Sequence, residues 1–81
     1  MNDEVSHVSQ LKLTAIIRRE DDGFVSICPE LDIASQGDSR DEARANLLDA
    51  VQGFFEVASK SEIEQRLGGE RYVEQLEVTV G

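Results

Sequence analysis

The chain reads as a small α+β domain, an antiparallel-rich sheet packed on one long helix in the order β-β-β-α-(α)-β. Three observations predict it. Eighty-one residues make one domain. Short runs alternate apolar and polar residues with the period of a half-covered strand. Between them, apolar residues recur at helical spacing behind a serine that fits a helix cap.

The first ten residues are polar and acidic, with Val5 and Val8 alone to bury, so residues 1–10 are expected to form a flexible tail and residues 11–81 the domain. Leu11, Leu13, Ala15 and Ile17 alternate with Lys12, Thr14, Ile16 and Arg18, which predicts a first strand over 11–17. Glu20-Asp21-Asp22-Gly23 is a turn, closed by a positive φ at Gly23. Residues 24–28 return antiparallel until Pro29, which lacks an N–H, ends the strand. Residues 32–36 make a third strand that Gly37 breaks.

Ser39 and Glu42 stand in capping-box spacing and start the long helix. Along it Ala43, Leu47, Ala50, Val51, Phe54 and Ala58 share one stripe, with Asp49, Gln52 and Glu56 opposite. Leu48 and Phe55 lie beside that stripe and widen its apolar arc beyond what one sheet face needs. Either they touch a second subunit, or the short helix that follows folds over them. That helix spans 61–67, with Ser61 and Glu64 in capping-box spacing and Gly68-Gly69 as its stop. A last strand over 72–80 follows from the alternation of Leu76, Val78 and Val80 with Glu77 and Thr79.

Composition narrows the function. Seventeen acidic residues against eight basic ones give a net charge of −9, which repels phosphate backbones and anionic lipid and favours a basic protein partner. A domain this small buries only about 60–65% of its unfolded surface, so an oligomer or a partner is expected to add burial. No apolar run reaches the roughly 18 residues of a membrane helix. With one cysteine and no basic, apolar leader at the N-terminus, the expected compartment is the cytoplasm.

Chemistry-bearing constellations are few. The sole histidine, His7, falls in the expected tail, away from any nucleophile. Cys28 ends an apolar strand without a cationic neighbour in sequence and reads as a half-buried thiol. The glycines have no phosphate-binding spacing, and the four aromatics are too scattered for a nucleic-acid stacking platform. No cofactor, metal site or enzymatic activity is therefore expected.

Gly23-Phe24, Cys28-Pro29-Glu30-Leu31, Gln36-Gly37-Asp38-Ser39 and Glu42-Ala43 follow one another in a compact order. This order resembles the N-terminal domain of the HicB antitoxin family over residues 11–55, about half of the chain. The resemblance implies a partial ribonuclease-H-like fold. It further implies a type II antitoxin that neutralises a small basic HicA-type endoribonuclease by covering its RNA-binding or catalytic face. Two-metal nuclease chemistry is not carried over. It needs carboxylates converging from rigid strands, whereas the first strand has none and Asp38, Asp41 and Glu42 crowd a helix N-terminus where the dipole favours them. HicB proteins usually carry a C-terminal DNA-binding domain, and nothing after Leu67 is basic or long enough to supply one, so no direct nucleic-acid contact is expected. The expected partner-binding residues are Asp21, Asp22, Glu30 and Asp32, with an exposed sheet edge; Leu48 and Phe55 are the expected oligomer interface. The alternative is a solitary HicB-like structural or regulatory homo-oligomer with no toxin.

Overall fold

The computed structural model describes residues 11–81; the expected tail over 1–10, His7 included, lies outside them. Three strands, β1 (Ile16–Glu20), β2 (Gly23–Cys28) and β3 (Ile33–Gly37), are followed by α1 (Arg40–Val57) and α2 (Lys60–Gly68). The strands form one antiparallel sheet in the order β1-β2-β3. The α+β class is as expected, with two differences in the strands.

The first strand begins at Ile16, not Leu11. Its register is set by a two-residue loop, Asp21-Asp22, that pairs Glu20 with Gly23 and Ile16 with Ile27. Positive φ falls on Asp21 (51°) rather than on Gly23, and a short polar side chain tolerates that conformation. Gly23 is needed for a different reason: a Cβ there would stand 3.0 Å from the Gly37 carbonyl oxygen across the sheet. Because β2 stops at Cys28, residues 11–15 run past its end with no strand to pair with.

At the other end of β2, Cys28-Pro29-Glu30-Leu31 forms a tight turn closed by the Leu31 N–H donating to the Cys28 carbonyl at 3.2 Å. Proline suits its second position, where φ near −65° is required. Asp32, with φ of 57°, then turns the chain into β3. This corner drives Leu31 fully into the core.

Alternation puts Ile17, Arg19, Phe24, Ser26, Cys28, Ile33, Ser35 and Gly37 on the helix-facing side of the sheet. Helix α1 crosses that face over β3 and β2, burying Ala43, Leu47 and Val51 against Cys28 and Leu31. Ser26 is the buried polar member, and its Oγ donates to the Ala43 carbonyl at 2.8 Å. Gly37 makes this close approach feasible, since a Cβ there would lie 2.5 Å from the Ala43 nitrogen. Ser39 caps α1 as expected, its Oγ accepting the Glu42 N–H at 3.0 Å, while the Glu42 carboxylate accepts from Asp38 N–H, one residue beyond the cap.

Helix α2 is capped by Ser59, whose Oγ accepts the Glu62 N–H at 3.1 Å, rather than by Ser61. Both serines precede a glutamate by three residues, so the motif alone is degenerate; α1 ending at an extended Ala58 selects the first. Arg66 of α2 donates to the Leu31 carbonyl and lies 5.0 Å from the Phe54 ring centre, and Leu67 packs on the core. The expected last strand is not formed. Residues 70–81 carry no strand pairing and are exposed throughout, Tyr72, Leu76, Val78 and Val80 included.

Candidate protein-interaction site

The expected partner-binding carboxylates do not converge. Asp21 and Asp22 sit in the β1–β2 loop, whereas Glu30 and Asp32 sit in the β2–β3 corner. The six residues of β2 separate the two loops by about 17–20 Å.

At the first end, Glu20, Asp21, Asp22 and Asp38 line a shallow cleft of about 360 Å³ beside Gly23 and Gly37. Asp38 joins the cluster because Gly37 holds the start of α1 against the hairpin end of β2, a proximity that linear spacing does not reveal. Glu20 is paired with Arg18, and the exposed Asp21, Asp22 and Asp38 suit the guanidinium and ammonium groups of a basic protein.

At the second end, Asp32 is exposed, but the Glu30 carboxylate is engaged within the chain. It accepts the Thr14 N–H at 3.0 and 3.1 Å on its two oxygens, and the Thr14 hydroxyl at 2.6 Å. Cys28 Sγ donates to it at 3.4 Å. Desolvation pushes the Glu30 pKa upward, but the hydrogen bonds from Thr14, from its own N–H and from Cys28 together hold it down to about 2. Glu30 thus fastens residues 11–15 to the corner after β2. Burial pushes the Cys28 thiol up, and its Glu30 partner adds to that, so it is held as a protonated, buried donor.

Leu48 and Phe55 do share a surface. Together with Leu11, Leu13, Ala15, Cys28 and Val51 they line an open groove of about 720 Å³ between the chain before β1 and the β1-side flank of α1. Of the two alternatives for this flank, α2 does not cover Leu48, which remains 50% exposed. Instead α2 turns to the Leu31 and Phe54 side. Phe55 is half-buried, edge-on to Phe54 with ring centres 5.4 Å apart. The groove holds cations as well: Lys12 and Arg44 are on its walls.

The outer face of the sheet carries a second apolar element, the cross-strand row Ile16, Ile27 and Ala34, of which Ile16 is 47% and Ile27 37% exposed. Sequence reasoning grouped Ile16 with the polar members of its strand and so missed this row; pairing register is what reveals it.

Among the described residues no group of three or more His, Cys, Asp or Glu side chains is arranged to hold a metal ion, and no helix is long and apolar enough to cross a membrane. No family model, curated protein or solved structure matches the chain.

Proposed function

We propose that this chain is an antitoxin-like protein-binding module of a type II toxin–antitoxin system, resembling HicB, that neutralises a small basic HicA-type endoribonuclease in the cytoplasm. It performs no catalysis and contacts no nucleic acid itself. The observation that carries the reading is that every segment of the resemblance is a joint of the fold. Gly23 closes against Gly37, Cys28 to Leu31 make the buried corner, Gly37 admits the first turn of α1, and Ser39 with Glu42 caps it. The residues that carry the resemblance are thus the ones that set the turns and the helix cap of the domain. The four-carboxylate cleft at Glu20, Asp21, Asp22 and Asp38 provides an acidic contact for a basic ribonuclease.

The test is affinity capture from the native host at low and high salt. Recovery of a small basic protein that is lost at high salt, and whose free form cleaves RNA, supports the reading. Elution of the chain alone at both salts overturns it. A second reading, a solitary HicB-like homo-oligomer, is favoured by the exposure of Leu48 at the rim of an apolar groove.

A further inference from the structure

Among the described residues there is a strand-like segment without a sheet and a sheet edge without a strand. In residues 72–80 the even positions, one strand face, are Tyr72, Leu76, Val78 and Val80 with Glu74 as the one charged member. The four uncharged ones are between 74% and 88% exposed. Nothing in the fold below Gly69 uses them. Buried apolar residues in the body number five, Cys28, Leu31, Ala43, Leu47 and Val51, a small core for a domain of this size.

The sheet order β1-β2-β3 leaves β1 and β3 as edges. On the β3 side, α1 lies close, and Asn46 Nδ2 donates to the Gln36 carbonyl at 2.8 Å. On the β1 side α1 stands off, opening the groove whose walls include Leu11, Leu13, Leu48 and Phe55. A strand laid along β1 would hydrogen-bond to its free edge and press one face into that groove. Charge agrees with this. Lys12, Arg19 and Arg44 lie on β1 or the groove walls, Arg18 being paired with Glu20 on the same strand, and the segment carries Glu74 and Glu77.

We propose that residues 72–80 of a second copy of this chain occupy the β1 edge and the groove, reciprocally, to make a strand-exchanged homodimer. The exchange is between copies because α2, from which the segment departs, is anchored by Arg66 at Leu31 and Phe54, on the flank of α1 away from Leu48. A C2 pair of such exchanges closes and uses the same patch on both copies. The proposal does not depend on a toxin, since the purified chain alone reports it.

The experiment is sedimentation equilibrium of the full chain across a concentration series, with Leu76→Lys/Val78→Lys beside it. Both residues are exposed in the isolated chain, so the double variant keeps the body folded, which far-UV circular dichroism checks. The expected result is twice the 9.0 kDa chain mass for the natural sequence and a dimer at least tenfold weaker for the variant. Copies carrying Leu48→Cys, mixed with copies carrying Val78→Cys, are expected to join through a disulfide under air oxidation, well above the level that buried Cys28 gives in the unmodified chain. A natural chain that is monomeric at every concentration overturns the proposal. So does a dimer that the lysine pair leaves unweakened, or a cross-link that forms only within one chain carrying both new cysteines.

Discussion

Gly37 and Ala43 meet so closely that a single methyl group on Gly37 would stand 2.5 Å from the Ala43 nitrogen. The obstacle is backbone on both sides, so it cannot swing away as a side chain could. Gly37→Ala is expected to destabilise the domain by about 2–3 kcal/mol through overpacking at this joint, read as a fall in the urea midpoint. Gly23→Ala, whose added atom would meet the Gly37 oxygen at 3.0 Å, is expected to cost less. Equal effects at the two sites would contradict the assignment of Gly37 as the tighter joint.

Glu30 makes stability depend on pH. Its folded pKa of about 2 lies below the ordinary value of 4.5, so its contribution is fully present above about 4.5 and is lost as pH falls from there toward 2. Urea unfolding followed between pH 6 and pH 2 is expected to show Glu30→Gln less stable than the natural chain at pH 6. The two should approach each other at the acid end. A constant difference between them across the range would mean that Glu30 acts by packing and not by charge.

The two caps are unequal in what they hold. Ser39→Ala removes the acceptor for the Glu42 N–H and Ser59→Ala that for the Glu62 N–H. Each loss is expected to cost about 1 kcal/mol locally. Helix α1 carries Ala43, Leu47 and Val51 into the core, whereas α2 buries no residue fully. Global unfolding is therefore expected to register the Ser39 change, and amide exchange within residues 60–68 the Ser59 change.

Gly53 sits inside α1, where an added Cβ meets nothing within 4 Å. Gly53→Ala is expected to raise stability by about 0.5–1 kcal/mol, since alanine loses less backbone entropy in a helix. Thermal unfolding reads it directly, and a lower midpoint would reveal that something approaches the helix there.

Charge reversal at the hairpin tip separates the two functional readings. Asp22→Lys, which leaves the positive-φ Asp21 in place, is expected to weaken capture of a basic ribonuclease about tenfold at low salt, while leaving the mass of the chain by itself unchanged. Retention of full binding would move the contact away from the acidic cleft.

Local signals read the turns and the long helix well. Pro29 and Ser39 each have a physical role that the neighbouring residues alone specify, and α1 begins where the cap places it; Gly37, expected to break the third strand, is instead the last residue of β3 and serves the close approach to Ala43. What failed were features decided by distant partners. The alternation over 11–17 is real, yet hydrogen bonding waits until Ile16 because β2 extends no further than Cys28. Alternation in residues 72–80 shows that the segment is suited to a sheet, and says nothing about where a free edge lies. Glu30 reads in the sequence as a carboxylate free for a partner because Thr14, which engages it in the fold, is sixteen residues away. Leu48 and Phe55 were legible as surplus apolar surface, whereas Lys12 and Arg44 on the same groove became visible only with the chain folded.

The sheet order repeats the chain order, and α1 packs on the strands just before it. Contacts between neighbouring strands and between β3 and α1 form by closing short loops, whereas those of α1 with β1, of Leu13 with the core and of Arg66 with Leu31 reach further along the chain. A mixed α/β topology of this kind goes with folding on roughly the millisecond scale. The body is thus expected to form in a single rapid phase that ignores protein concentration, and any association through residues 72–80 in a slower one that accelerates as the solution is made more concentrated.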